Sequence, residues 1–276
     1  MFHSSNPVLS DRAFQPAEVL PKESAQVRTT MTAAGAANKT FMLLGLCAAA
    51  AIFTWSMIVP AQGIEPKMSP FPFLIGGMLG GLVFFFITWL KPSASPFTAP
   101  IYALLEGLVL GSLSAVYALQ FAVVENPGAL ASGDTSTFAP NYGMVFNALV
   151  LTFGILGVML AVYRSGIIKV TDRFAMILMS AVGAVALLYL VNIIMHFFGA
   201  SIPFIHSSGP IGIGFSVVVI GLASFMLLLD FEFIVRGAQA GLPRHMEWYA
   251  GFGLLVTLVW LYIEILHLLA KLQSRD

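Results

Sequence analysis

Four carboxylates stand in stretches otherwise suited to hydrocarbon: Glu106, Asp230, Glu232 and Glu264. A charged side chain at the centre of a membrane span costs about 2.5–3.5 kcal/mol on insertion scales. No Lys or Arg lies well inside any of the same stretches, so the buried charge is all of one sign. Such acids must be protonated, hydrogen-bonded, hydrated in a cavity or paired with a mobile cation. Desolvation and mutual repulsion both disfavour the ionised carboxyl. Cation passage and proton sensing therefore share one physical origin.

Spacing sharpens the choice of residues. Gly212, Ser216, Ala223 and Asp230 recur at intervals of four and seven, which puts them on one helical stripe. Thr257, Glu264 and Lys271 recur every seven residues, with Trp260 and His267 alongside. Glu264 and His267 are three apart and can touch. Glu106 sits beside a small-residue face made by Gly107, Gly111 and Ser114. Asp230, Glu264 and Glu106 are thus the primary candidates for ion binding or pH sensing, and Glu232 and His267 the secondary ones. Plainer roles compete with these. Glu232 can reach Arg236 one turn on, Glu106 can be a neutral structural hydrogen-bond donor, and Glu247 can cap a helix or pair with Arg244 or Arg236. His196 and His206 do not make a metal site, and neither a metal nor a cofactor is expected.

The elements that must hold these acids are membrane helices. Hydrophobic residues make up 58% of the 276 and charged ones 9%, against about 25% charged in a soluble domain. Spanning takes about 20 mostly apolar residues. Seven segments qualify: Phe41 to Val59, Pro72 to Leu90, Ile101 to Val124, Tyr142 to Tyr163, Phe174 to Phe198, Ile211 to Val235 and Trp248 to Ala270. Trp55, Trp89 and Trp248 fall near span ends, where amphipathic rings suit the headgroup level. The runs are too long and too unbroken for barrel strands. The polar stripe of the last span suits a helix in the middle of the bundle. The expected fold is all-α integral membrane, with seven transmembrane helices. A flexible polar tail over residues 1–32, with Pro7, Pro16 and Pro21, precedes a membrane domain over residues 33–276.

Orientation follows from the basic residues. With the N-terminus cytoplasmic, only Lys67, Lys271 and Arg275 of the 13 Lys and Arg fall outside. Arg12, Lys22, Arg28, Lys39, Lys91, Arg164, Lys169, Arg173, Arg236 and Arg244 fall inside, as the positive-inside rule requires. The formal net charge of +0 offers no field for nucleic acid. No apolar signal-peptide run is expected near the start. The single cysteine, Cys47, lies in an apolar run and reads as a packing residue. The chain holds no His-Glu-x-x-His pair and no phosphate-binding glycine loop, and the His206-Ser207-Ser208-Gly209 stretch has no orienting base. An enzyme is therefore not expected. A retinal-type lysine would lie deep in the last span, whereas Lys271 is at its end. Gly76 with Gly80, Gly77 with Gly81 and Gly107 with Gly111 are pairs that allow close helix packing within the bundle, or a dimer face.

Three segments in order carry a resemblance. They are Ala103-Leu104-Leu105-Glu106-Gly107-Leu108-Val109-Leu110-Gly111, Leu227-Leu228-Leu229-Asp230-Phe231 and Leu261-Tyr262-Ile263-Glu264-Ile265-Leu266. Together with Met246-Glu247-Trp248-Tyr249-Ala250-Gly251-Phe252-Gly253 and Leu255-Val256-Thr257-Leu258-Val259-Trp260, they resemble a bacterial branch of the Bax inhibitor-1/YccA family, also called the transmembrane Bax inhibitor motif family. The resemblance covers roughly Ala33 to the end. It implies a last helix wrapped by the other six, in the bacterial cytoplasmic (inner) membrane, and a pH-sensitive calcium leak controlled by two carboxylates. Asp230 matches the sixth-helix acid. Glu264 matches the seventh, with Glu where the family usually has Asp.

Spacing also bears on whether these acids meet. If residues 236–245 form the turn of a helical hairpin centred near Gly241, the residue level with Asp230 is Phe252 or Gly253. Glu264 then lies eleven residues further on, about 16 Å away at the helical rise. A crossing or kink would shorten that gap, and Glu106 is an alternative companion for Asp230. The leading expectation is a cation leak with calcium as permeant, Asp230 and Glu264 binding or gating the ion and Glu106 shaping the inner vestibule. The alternative is a non-conducting regulator that binds membrane proteases or stress-pathway proteins in the bilayer. A proton-coupled transporter would need a repeat that the sequence does not display.

Overall fold

A computed structural model describes residues 30–60, 63–124, 138–199 and 207–274. Most of the expected tail, with Arg12, Lys22 and Arg28, lies outside the described residues, as does His206. Seven helices among those described are long and apolar enough to cross a membrane. They are α1 (Ala33–Ile58), α2 (Phe71–Leu90), α3 (Ser95–Gln120), α4 (Tyr142–Ser165), α5 (Asp172–Phe197), α6 (Pro210–Gln239) and α7 (Met246–Gln273).

Several boundaries differ from the sequence reading, each for a local reason. α1 starts eight residues before Phe41 because the Thr32 side chain caps it, accepting from the Gly35 N–H at 2.9 Å, and alanines carry the first turns. α3 starts at Ser95, six residues before the expected Ile101, and runs through Pro100. Pro100 lies early in the helix, where only the bond to Pro96 is lost. The Ser95 hydroxyl ties this end to the His245 carbonyl at 2.9 Å. α3 also stops at Gln120, not Val124. Val123 and Val124 instead pair with Ala139 and Phe138 as two short antiparallel strands, β1 (Val123–Val124) and β2 (Phe138–Ala139).

The last helix is the axis of the bundle. In its most apolar 18-residue stretch 61% of residues are buried, against 11–44% for the other six helices. One core cluster joins α7 to α4 and α6 through Ala148, Leu227, Leu228, Leu258 and Leu261. A second joins α7 to α1 and α3 through Leu43, Ala99, Tyr102, Phe252 and Leu255. The outer faces are apolar and open, with Phe41, Leu90, Phe97 and Ile177 each more than two-thirds exposed. Lipid is the natural solvent for such faces. Lipid tails are as apolar as leucine, so α7 is held by close packing and not by dehydration.

Glycines permit that packing. A Cβ on Gly107 or Gly111 would collide with the α1 backbone at Cys47 or Ala51, and one on Gly77 would lie 2.8 Å from the Leu105 carbonyl oxygen. Gly76 has open space. The small-residue pairs thus seat α1 and α2 on α3.

The loops rich in Lys and Arg all join helices at the end where α1 begins. At that basic end the α6–α7 turn is closed by Gly241 with φ 65°, the left-handed region that favours glycine. Residues 30–32 are strapped to this turn. The Met31 N–H donates to the Leu242 carbonyl at 2.7 Å, and the Met31 side chain is buried beside Ala36 and Ala250.

Candidate functional site

The α6–α7 hairpin positions the sixth-helix acid. Asp230 faces Gly253 across it, where an added Cβ would sit 3.7 Å from Oδ1. Only a glycine leaves that space open. The Thr257 hydroxyl, one turn further along α7, also faces the carboxyl, and it donates to the Gly253 carbonyl at 3.3 Å. Asp230 is half-buried as a residue, yet its Oδ2 atom is sealed and has no hydrogen-bond partner. A sealed, unsatisfied carboxylate oxygen is costly, and a proton or a cation would relieve it.

Glu264 lies towards the opposite, far end. It is 3% exposed and its Oε1 accepts from the Tyr189 hydroxyl on α5 at 2.7 Å. The Trp260 indole and the positive charge of Lys271 also act on it. Lys271 is held to α6, its Nζ donating to the Ser216 hydroxyl at 2.8 Å and the Gly212 carbonyl at 3.1 Å. Tyr189, Glu264 and Lys271 line a cavity of about 240 Å³, together with Tyr117, Ser208 and His267. The His267 ring packs edge-on to Tyr117 with centroids 5.8 Å apart.

Glu106 points elsewhere. Its partner is the Tyr102 hydroxyl, and a Cβ on Gly81 of α2 would sit 3.2 Å from its Oε1. It faces the α2–α3 seam, so the expected companionship with Asp230 gives way to a contact on another side of α3. Glu232 is engaged at the basic end, accepting from Tyr163 at 2.7 Å and from the Arg236 Nε at 2.5 Å. Arg236 continues to Asp172 at 3.7 Å. This is the i,i+4 pairing with Arg236 that the spacing allowed.

The structure therefore does not gather the candidate acids. Asp230 on α6 and Glu264 on α7 lie at separate levels of the bundle, and Leu227, Leu254, Leu258 and Leu261 of the same two helices pack together in one core cluster. Among the described residues no group of three His, Cys, Asp or Glu side chains could hold a metal ion.

Sequence reasoning missed Tyr189, although a tyrosine among Leu187, Leu188 and Leu190 signals a hydroxyl in need of a partner. Of the two roles open to Glu247, capping a helix or pairing with Arg244 or Arg236, the structure shows the first. Glu247 is 4% exposed, and it accepts from the Thr32 N–H and hydroxyl, both at 3.0 Å. It thereby anchors the start of α1 rather than pairing with Arg244 or Arg236. A Cβ on Gly35 would collide with its carboxylate.

A lateral groove of about 410 Å³ opens between α1 and α4, with Leu255, Leu258 and Tyr262 of α7 as its floor. Its lining is almost wholly apolar, apart from hydroxyls such as Ser114, which is bonded to Tyr262 at 2.7 Å.

No curated protein and no solved structure matches the chain. The family described as Bax inhibitor 1 like matches it over residues 6–274, nearly the whole length. With that match and a seven-helix bundle built around its last helix, the chain belongs to the Bax inhibitor 1 like family of membrane proteins.

Proposed function

We propose that this protein is a pH-sensitive cation leak of the bacterial inner membrane, with its basic end and polar N-terminal tail in the cytoplasm. The observation that carries the reading is the Asp230 Oδ2 atom, sealed inside a membrane helix pair without a partner. Beside it, Gly253 leaves room at Oδ1. A proton satisfies that oxygen at low pH. At higher pH the ionised carboxylate attracts a cation and disfavours the tight apolar packing around it. Glu264 receives ions from the far-end cavity, and the leucines between the two acids are the barrier that must part. Such apolar constrictions gate by excluding water. Calcium as the permeant ion rests on the family resemblance. Glu106, turned towards α2, is a structural neighbour of the path and not a ligand.

The test is calcium entry into proteoliposomes between about pH 5 and pH 8, the range over which a perturbed buried carboxyl can titrate. Flux is expected to rise with pH and to fall in Asp230→Asn and in Glu264→Gln. Equal flux in wild type and in the double variant would remove these acids from the mechanism.

The lateral groove favours a second reading, a non-conducting regulator of membrane proteases or stress-pathway proteins. An apolar cleft of about 410 Å³ between two spanning helices suits the side chains of a partner's helix. A stable co-purifying membrane protein, together with absence of flux at every pH, would favour it.

A further inference from the structure

We propose that residues 30–32 are a latch on the α6–α7 hairpin: docked, they hold the basic end of the hairpin to α1, and their release opens the path past Asp230. The inference rests on the leak reading and adds the element that would regulate it.

The segment docks as an extended peptide does in a groove. Thr30 and Pro243 face each other as an isolated antiparallel bridge, and the Met31 N–H donates to the Leu242 carbonyl at 2.7 Å. Main-chain bonds of this kind hold an extended segment, and a pocket for one side chain fixes its register. The pocket takes Met31, which is 2% exposed. Its walls come from both helices of the hairpin: Ile234 and Gly237 on α6, Met246 and Ala250 on α7, and Leu242 in the turn between them. Gly237 makes the room, since a Cβ there would sit 3.1 Å from the Met31 sulfur. An unbranched thioether suits so irregular a socket. This cluster is separate from the two that seat α7 in the bundle, so Met31 can leave it without unpacking either.

Glu247 completes the latch. Its Oε1 accepts from both the Thr32 N–H and the Thr32 hydroxyl at 3.0 Å. Thr32 is also the residue that caps α1, and Glu247 lies in the first turn of α7. Three residues thus tie the start of α1, the end of α6 and the start of α7 together.

The link to the acid is short. Asp230 lies about two turns before Gly237 on α6. α1 is itself seated on the α3 backbone through Gly107 and Gly111. With Met31 docked, the hairpin end is clamped to a part of the bundle that cannot yield. With Met31 withdrawn, α6 and α7 lose a side chain that both grip, and they can part towards Asp230. Docked and released are two discrete arrangements, which is what a switch requires.

The experiment reads docking and flux separately on the full chain, with each variant first shown to be folded by size exclusion and circular dichroism. Docking is read by amide hydrogen exchange over residues 30–32, and flux by calcium entry into proteoliposomes at one pH. Glu247→Ala removes the acceptor but leaves the Thr32 cap on α1. Losing hydrogen bonds to a charged acceptor should speed exchange of the Met31 and Thr32 amides by about tenfold, and flux should rise with it. Glu247→Gln keeps an acceptor and should stay near wild type in both. Closing the latch covalently is the rescue. Met31→Cys and Gly237→Cys, in a Cys47→Ala chain that also carries Glu247→Ala, are joined by a short cleavable thiol linker. Linking should bring flux back down and cleavage should raise it again, which a general loosening of the bundle would not show. Unchanged exchange in Glu247→Ala overturns this inference, as does faster exchange with unchanged flux in a conducting protein, and both leave the leak reading intact. Absence of flux from every protein overturns the leak reading, and this inference with it.

Discussion

The Tyr189 hydroxyl donates to the Glu264 carboxylate at 2.7 Å, tying α5 to the central helix. α5 is otherwise the least buried of the seven. Removing the donor in Tyr189→Phe leaves a buried carboxylate short of a partner, at a cost of about 1–3 kcal/mol. Glu264→Gln keeps an acceptor for the tyrosine and should cost less. Thermal unfolding in detergent checks the order: wild type above Glu264→Gln, and Glu264→Gln above Tyr189→Phe. A Tyr189→Phe protein that melts with wild type would show that this bond does not hold α5.

Gly253→Ala should separate stability from function. Replacing an interior helical glycine by alanine gains roughly 1 kcal/mol. The added methyl would lie 3.7 Å from Asp230 Oδ1, an ordinary contact that the fold accommodates. That methyl nonetheless fills the space where a cation would join the carboxylate. Tm should rise while calcium flux falls. Flux that stays at the wild-type level would mean that the ion does not visit this face of Asp230.

Much of this arrangement is legible in the sequence. Placing the α6–α7 turn at Gly241 puts Phe252 or Gly253 level with Asp230; Gly241 carries the left-handed turn, and Gly253 is the residue that faces the carboxyl. The separation of the two acids follows from the same count and the helical rise. The Ser216 and Lys271 stripes could be drawn as separate faces, but nothing local says that they face each other. Partners from distant helices were hidden for the same reason. Tyr189 meets Glu264 across 75 residues and Glu247 meets Thr32 across 215. Glu106 was misdirected because its helical face points to α1 and α2 as readily as to α6, and only packing decides. The start of α3 was hidden in another way, since Pro100 stands just before the expected start at Ile101 yet costs little so early in a helix.

The leucines between the acids should behave as the closed barrier. Leu261 is fully buried in the cluster that also holds Leu227 and Leu258. Truncation to alanine leaves a cavity, and in cores such changes cost about 2–5 kcal/mol. If this layer is the gate, Leu261→Ala lowers Tm and raises calcium leak at a fixed pH, because a wider constriction wets more readily. Leu43→Ala is the control. Leu43 is equally buried but belongs to the α1–α3 cluster, so it should lower Tm without raising the leak. Parallel rises in both variants would point to general loosening of the bundle.

The small-residue pairs on α3 make the sharpest stability prediction. α1 lies on Gly107 and Gly111 so closely that a methyl at either would meet backbone atoms of Cys47 or Ala51, which cannot swing aside as a side chain can. Overpacking of this kind costs about 1–3 kcal/mol, and two such clashes along one seam should push α1 off α3. The double variant Gly107→Ala, Gly111→Ala is therefore expected to lose most of its cooperative unfolding, despite the helix propensity that alanine adds. Gly76 is the counter-case, since it has the same spacing motif but nothing within 4 Å of an added Cβ. Gly76→Ala should leave Tm unchanged or slightly higher if its open face meets only lipid. A large drop in Tm for Gly76→Ala, together with loss of a dimer band on cross-linking, would instead assign that face of α2 to a second copy of the chain.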